Sequence, residues 1–294
     1  MSDRQGTSPF GDGAEVEWVC RLLDNARLEI LPTAKADEIA KGVPERYKLT
    51  VTSSPKLGVV HTVELATELR GRGFTVVPHL AARGVKDRQE LARIVDALAD
   101  IGIDEVFVIG GDQERPAGTF TSALELLDAL STLERRPRTI GIAAYPEGHP
   151  KIPSDVLMDV LLRKQEHASY AILQMSFDAE AILDWLRSAK RQGFGLPVYL
   201  CLPGTLRIDR LLRIAVRLGI GQSLRYLEKQ QGLLPQLLTG GYRYDPWSFI
   251  EALLAQFTPD HEQIVGIHWS TFNELARTIE WIESRQRELR VTAR

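Results

Sequence analysis

Cysteine is scarce in this sequence: its 294 residues include two, Cys20 and Cys201. Two cysteines so far apart form neither a disulfide framework nor a cysteine metal cluster, and a reducing cytoplasm is the expected compartment. No apolar run approaches the ~20 residues of a membrane span. The net charge of -3 gives no reason to expect nucleic acid or an anionic membrane as a partner. These absences exclude a disulfide scaffold, a membrane-spanning protein and a basic nucleic-acid-binding protein.

The N-terminal residues also lack the apolar core of a signal peptide. Residues 1–13 are polar and rich in glycine. We therefore expect an N-terminal tail over residues 1–20, followed by one domain over residues 21–294.

Short apolar runs alternate with amphipathic helical patterns along almost the whole domain. The runs are rich in Val, Ile and Leu and mostly do not alternate with polar residues, as expected for parallel strands covered on both faces. We predict eight strands, at residues 27–31, 48–52, 75–80, 105–109, 139–143, 171–175, 197–202 and 264–269. Eight strand-helix units in ~270 residues favour a single-domain α/β fold, the (β/α)8 TIM barrel. A doubly wound open sheet is the main alternative, but the sequence has no GxGxxG turn.

The last unit is longer than the others. Residues 221–262 form an extended segment before the final strand, with helical patterns at 223–231 and 246–257. The aromatic residues Tyr242, Tyr244 and Trp247, with Arg243, are candidates for a cap over the site or a contact between subunits of a homo-oligomer. Extra helices packed on the barrel are the simpler interpretation.

Polar side chains collect where the strands end, which is the face that carries function in a barrel. Glu29, His79, Gln174 and His268 lie within apolar strands, where a polar group is costly unless it has a partner. We expect burial to raise the pKa of Glu29, which suits a general acid. A salt bridge from Glu29 to a Lys or Arg of a neighbouring strand is the alternative. His79, His149 and His268 come from three separate loops without a compact metal spacing, so no metal is predicted.

The most specific motif follows the fifth strand. It reads Ala-Tyr-Pro-Glu-Gly-His-Pro at residues 144–150, and its two prolines restrict the loop. With it, in collinear order, stand Leu-Glu-Ile-Leu-Pro at 28–32, Pro-His-Leu at 78–80, Gly-Asp at 111–112, Gln-Met-Ser-Phe-Asp at 174–178, Pro-Gly at 203–204 and Ile-His at 267–268. In this order the motifs resemble those of the methylenetetrahydrofolate reductases.

The resemblance implies a flavoprotein of one-carbon metabolism and methionine biosynthesis. The expected reaction reduces 5,10-methylenetetrahydrofolate to 5-methyltetrahydrofolate, with hydride passing from NAD(P)H to FAD and then to the folate. Glu29 is the implied general acid, and Asp112 assists beside the flavin ring and the folate. Gln174 and Asp112 are the implied folate-binding residues. The implied cofactor-binding residues are Thr52, His79, Gly111, Asp112, Tyr145, His149 and Lys164.

The chain also departs from the family pattern. The family has an arginine before its Gly-Asp motif, and this sequence has Gly110. Loss of that cation keeps a flavin-free enzyme open, with hydride moving directly from nicotinamide to folate. An oxidative role in a demethylation pathway and a non-catalytic barrel that binds folate or flavin are further alternatives. A glycosidase-like barrel using Glu29, Asp112 and Glu147 is the most distant, since an aromatic sugar platform is missing.

Overall fold

The computed structural model describes residues 13–150, 152–218 and 243–292. Eight parallel strands close into one barrel in sequence order, with β1 paired to both β2 and β8. The strands are β1 (Ala26–Ile30), β2 (Lys48–Val51), β3 (Val76–Ala81), β4 (Glu105–Ile109), β5 (Thr139–Ala144), β6 (Tyr170–Leu173), β7 (Val198–Pro203) and β8 (Ile264–Ser270). The predicted (β/α)8 barrel is confirmed, and the open-sheet alternative is wrong.

One helix precedes β1, the other described helices follow the strands, and together they cover the barrel. They are α1 (Gly13–Asp24), α2 (Ala36–Gly42), α3 (Gly58–Gly71), α4 (Arg88–Asp100), α5 (Ala123–Ser131), α6 (Ser154–Gln165), α7 (Ala179–Arg191), α8 (Ile208–Leu218), α9 (Trp247–Leu254) and α10 (Leu275–Thr292). Side-chain caps fix the N-terminal ends of α4 and α7. The Asp87 side chain accepts a hydrogen bond from the amide of Glu90, and the Asp178 side chain accepts one from the amide of Ala181. None of the described helices is both long and apolar enough to cross a bilayer.

The predicted N-terminal tail over residues 1–20 is wrong for residues 13–20, which belong to α1. Val16, Trp18 and Val19 of this helix are buried, and the helix packs on β8 and α10. The indole of Trp18 also donates to the carbonyl of His261. Burial of these apolar side chains makes α1 part of the domain.

The extended segment is described in part. The helix expected at 246–257 is α9, and Trp247, Phe249 and Ile250 of this helix are buried. The helical pattern at 223–231 lies outside the described residues, as does Tyr242. Tyr244 is fully buried against Phe177, so it packs as part of the core.

The barrel interior is built in layers that bring distant strands together. At the N-terminal end, Arg27 of β1 lies between the rings of Tyr170 and Tyr199, 4.2 and 4.1 Å from their centroids. Gly141 makes room for this layer, because a Cβ there would lie 2.4 Å from the Tyr170 ring. Nearer the C-terminal end lie Glu29, His79 and His268. Because strand side chains alternate, Arg27 and Glu29 of the same strand both face the interior.

Candidate active site

Glu29 lies near the C-terminal end of β1, where β8 supplies its partners. The register places Glu29 opposite Ser270. His268 Nε2 is 3.0 Å from Glu29 Oε2, and the Ser270 hydroxyl donates to Glu29 Oε1 over 3.1 Å. The hydroxyl of Thr271 donates to the backbone carbonyl of Glu29. The Glu29 side chain keeps 17% of its surface exposed, so it can be reached from the barrel mouth.

The pKa of Glu29 differs from the expected direction. Burial alone would raise it, but the hydrogen bond from His268, the nearby imidazoles and the Ser270 hydroxyl outweigh burial, and the pKa is lowered. The expectation of a raised pKa is therefore wrong. The alternative of a Lys or Arg partner is also wrong, because the partners are an imidazole and a hydroxyl.

Two histidines lie in the barrel interior close to Glu29. The rings of His79 and His268 stack with centroids 6.2 Å apart, and Phe107 lies 4.8 Å from His79. Burial lowers the pKa of His79 to about 4, so its ring is neutral at neutral pH. His79 Nε2 and His268 Nδ1 are buried with no hydrogen-bond partner in the described part of the chain.

The structure gathers two of the three histidines that the sequence left scattered. Possible ligand atoms of Glu29, His79 and His268 lie within 4.8 Å of one another. His149 lies elsewhere, against Tyr145. The facing atoms of Glu29 and His268 already form a hydrogen bond, so the arrangement is a carboxylate-imidazole pair with a second imidazole beside it. Spacing along the chain could not reveal this cluster, because barrel closure creates it.

The Gly110-Gly111-Asp112 turn follows β4 and lies on the same face of the barrel. Gly111 has a φ of +90°, and a Cβ there would lie 2.7 Å from Gln113 Oε1, so the turn requires glycine. Arg83, from the loop after β3, holds this region: its guanidinium donates to the carbonyls of Gln113 and Glu114, and its amide donates to that of Gly110. Sequence reasoning missed Arg83, whose backbone-directed role leaves no motif.

The loop after β5 carries the Tyr-Pro-Glu-Gly-His-Pro motif on the same face. The Tyr145 and His149 rings meet edge to face at 5.2 Å, and the amide of Gly148 donates to the carbonyl of Tyr145. Burial and the charge of Asp112 raise the pKa of Tyr145. Asp112 itself is exposed, so it faces the solvent at the mouth of the barrel.

Thr52 and Gln174 also lie at the C-terminal ends of their strands. The amide of Thr52 donates to the carbonyl of Ile30, and the amide of Gln174 to that of Ala144. Both residues are half-buried. Glu29, Thr52, His79, Gly111, Asp112, Tyr145, His149 and Gln174 thus all come from the C-terminal ends of strands or the loops that follow them.

Lys164 is the one predicted site residue on a helix. It lies on α6, and its Nζ donates to the carbonyl of Ala143 over 2.7 Å. Beside it is a cavity of about 440 Å³, which Gly110, Tyr145 and Met158 also line. Burial lowers the pKa of Lys164 to about 8. No described carboxylate lies within ion-pair distance of it.

Two comparisons with known proteins identify the family of this chain. The model of the methylenetetrahydrofolate reductase family matches residues 38–219, more than half of the chain. Methylenetetrahydrofolate reductase 2 of Saccharomyces cerevisiae is 26% identical over 181 residues, which cover 57% of this chain and 29% of the yeast protein. The chain therefore spans less than a third of that relative.

Among solved structures, an oxaloacetate acetylhydrolase in complex with 3,3-difluorooxalacetate aligns with 94% of this chain and 84% of its own. The TM-score is 0.49 and the identity 11%, too low to bear on function. The family model, which matches over the strands that carry His79, the Gly-Asp turn and the Tyr-Pro-Glu-Gly-His-Pro loop, is the informative comparison. The chain belongs to the methylenetetrahydrofolate reductase family.

Proposed function

We propose that this protein reduces 5,10-methylenetetrahydrofolate to 5-methyltetrahydrofolate with NAD(P)H as the source of hydride. The observation that carries the proposal is the Glu29 carboxyl group, held by His268 and Ser270 near the mouth of the barrel. Asp112 follows β4 and Gln174 follows β6, on the same face of the barrel as Glu29, where they can bind the pterin ring of a folate. Membership of the family supports this substrate.

The reaction needs a proton as well as a hydride. Glu29 donates a proton to a folate nitrogen, the bond from that nitrogen to the methylene carbon breaks, and an electrophilic iminium forms. Hydride then adds to the methylene carbon and gives the methyl group. One NAD(P)H and one proton are consumed for each folate reduced, and Glu29 is the group placed to deliver that proton.

The residues present fit a flavin dinucleotide next to β4 and β5. Lys164 is a buried cation with no described counter-ion, and one of its three N–H donors is used. An uncompensated buried charge is costly, and an anionic phosphate in the adjoining cavity would compensate it. When bound, FAD supplies hydride transfer between nicotinamide and folate. Lys164 and the Gly111 turn would hold its phosphates, and Tyr145 and His149 would contact it.

Replacing Lys164 with methionine tests this assignment. We expect FAD affinity to fall by about tenfold or more, because a hydrogen bond to a charged group is worth about 1.5–3 kcal/mol. The folded-state pKa of about 8 lies below the ordinary 10.5. Between these two pKa values the unfolded chain binds more protons than the folded protein, so the free energy of unfolding of the ligand-free protein rises with pH in that range. We expect Lys164→Met to lack this pH-dependent rise in stability. Urea unfolding between pH 7 and pH 11 and flavin titration provide both measurements.

The exposed Lys41 provides the matched control. Lys41→Met should change neither flavin affinity nor the pH dependence of stability. Unchanged flavin affinity in Lys164→Met would contradict the proposed role of this lysine.

Gly110 favours a second candidate, direct transfer of hydride from nicotinamide to folate without flavin. Lys164 is the one basic side chain among the described residues that line the cavity. Gly110 adds no cation, and no atom lies within 4 Å of the position that a Cβ would take there. The pyrophosphate of a dinucleotide carries two negative charges, and the single positive charge of Lys164 compensates only part of them.

An absorbance spectrum combined with a turnover assay tests the proposal. We expect the purified protein to oxidise NAD(P)H only when methylenetetrahydrofolate is present, and to be yellow if FAD is the carrier. A colourless protein that still turns over would select the flavin-free candidate. Absence of folate-dependent turnover, with and without added FAD, would contradict both.

Gly110→Arg distinguishes the flavin-dependent candidate from the flavin-free one, because no atom blocks a side chain at this position. If flavin belongs in the cavity, the added guanidinium should raise FAD affinity about tenfold. Gly42→Arg adds the same charge at another unobstructed glycine and should leave FAD affinity unchanged.

A further inference from the structure

The two carboxylate oxygens of Glu29 are both occupied by donors from a single strand. His268 and Ser270 are two residues apart on β8 and point to the same face of that strand. Their nitrogen and hydroxyl lie 3.0 and 3.1 Å from Oε2 and Oε1. The register of β1 against β8 fixes this contact, so the arrangement is part of the closed barrel.

The protonation pattern follows from these contacts. His268 Nδ1 is buried without a partner, so a neutral ring carries its single proton on Nε2, facing Glu29. The Ser270 hydroxyl donates as well. A protonated carboxyl would have to replace one of these acceptor positions with a donor, so both hydrogen bonds favour the ionised carboxylate.

The other titratable groups near Glu29 are neutral. Burial lowers the pKa of His79, on β3, to about 4, which leaves its ring uncharged. Burial and the charge of Glu29 raise the pKa of Cys201, on β7, to about 12 and outweigh its hydrogen bond with Ser270, which lowers the pKa, so Cys201 remains a thiol. Arg27 lies one layer below and is paired with Glu105. The groups that hydrogen-bond to the Glu29 carboxylate are therefore His268 and Ser270, both from β8.

We propose that His268 and Ser270 are positioning residues that keep Glu29 ionised in the ligand-free protein, so that binding of the folate is coupled to uptake of one proton. The inference rests on the proposed function, in which Glu29 is the proton donor. The buried Nδ1 of His268 has no hydrogen-bond acceptor for a second ring proton in the described part of the chain, so the proton comes from solvent. A bound folate covers the exposed part of Glu29, and the added desolvation favours the neutral carboxyl group. The proton then moves to the folate nitrogen as the carbon–nitrogen bond breaks.

Titration calorimetry with methylenetetrahydrofolate, in the absence of nicotinamide, tests the coupling. Above neutral pH, in two buffers of different ionisation enthalpy, we expect the binding heats to report uptake of about one proton per site. Glu29→Gln should bind the folate without this uptake. Binding by the wild-type protein without proton uptake would overturn the inference and leave the proposed function standing. Absence of binding would remove both.

Variants of the two donors test the positioning role. His268→Leu removes a donor, so the pKa of Glu29 rises. At high pH, kcat/KM falls tenfold for each pH unit as Glu29 loses its proton, and in His268→Leu this fall should begin at a higher pH than in the wild type. The number of protons taken up on folate binding near neutral pH should be smaller than in the wild type. Ser270→Ala should do the same to a smaller extent, which provides a test if His268→Leu does not fold. His268→Gln keeps an N–H donor at about the position of the imidazole Nε2, so this variant should show the wild-type dependence of kcat/KM on pH.

His167→Gln is the matched control, because His167 forms a similar pair with Asp128 at 3.1 Å on the outer surface. It should change neither proton uptake nor the pH profile. An infrared difference spectrum between ligand-free wild type and Glu29→Gln provides a readout that does not need folate. A protonated carboxyl band assigned to Glu29 near neutral pH would overturn the inference.

Discussion

Replacement of Glu29 with glutamine is expected to lower kcat by about 10²–10⁴-fold, the usual contribution of a general acid. The amide has nearly the shape of the carboxyl group, and its oxygen can still accept a hydrogen bond from His268 or Ser270. It cannot donate the proton that opens the methylene bridge. Single-turnover reduction of methylenetetrahydrofolate measures the chemical step directly, and calorimetry checks that the folate still binds.

The exposed Glu134 offers a control that removes one carboxylate from the outer surface. Glu134→Gln should retain full turnover and stability. Wild-type turnover in Glu29→Gln would remove Glu29 from the mechanism. A loss of folate binding equal to the loss of kcat/KM would instead make Glu29 a binding residue.

The fold could be predicted from the sequence because each barrel strand is covered on both faces and therefore reads as an apolar run. The predicted strands differ from those observed by at most two residues at either end, and β4 matches at both ends. The sixth strand was placed slightly late, since it begins at Tyr170. That residue carries a polar hydroxyl, but the hydroxyl accepts a hydrogen bond from Arg27 inside the barrel, which allows the strand to begin there.

The partners of Glu29 could not be predicted, because they lie at the opposite end of the chain. Barrel closure brings His268 beside Glu29, and no local pattern in the sequence encodes that pairing. The sequence indicated that Glu29 is buried, and burial alone predicts a raised pKa for its carboxyl group. The hydrogen bonds that reverse this direction appear only when β8 lies beside β1. The same limit applies to α1, whose apolar residues find their partner on β8.

A second charged cluster was also invisible in the sequence. Arg27 is 5% exposed and Glu105 12% exposed, and Arg27 Nη1 donates to Glu105 Oε1 over 2.5 Å. Arg27 also donates to the hydroxyls of Tyr170 and Tyr199, at 2.8 and 3.0 Å. Lys48 reaches the other oxygen of Glu105 at 2.6 Å. The cluster joins five strands of the barrel at its N-terminal end.

We expect Arg27→Leu to lower the free energy of unfolding by about 3–5 kcal/mol, the cost of breaking a buried ion pair by removing one partner. The change leaves Glu105 with Lys48 alone and removes the cation between the two tyrosine rings. Arg27→Lys should recover part of the loss, because it keeps the charge without the planar fork. Urea unfolding followed by circular dichroism measures all three proteins.

The exposed pair of Arg135 and Asp100, at 2.8 Å, is the matched control. Arg135→Leu should cost less than about 1 kcal/mol, as surface ion pairs do. An equally small cost for Arg27→Leu would contradict the view that the interior cluster stabilises the barrel.

The pH dependence of stability separates the charge of Arg27 from its packing. Burial would raise the pKa of Glu105, but Arg27 and Lys48 outweigh burial and lower it. A carboxyl group with a lowered folded-state pKa contributes stability above its unfolded pKa, and that contribution is lost as the pH falls through the folded-state pKa. Without Arg27 the folded-state pKa of Glu105 rises, so the acid loss of stability should begin at a higher pH in Arg27→Leu than in the wild type. Parallel curves for the two proteins would indicate that Arg27 stabilises the barrel through packing against the tyrosines, because loss of its charge would then leave the titration of Glu105 unchanged.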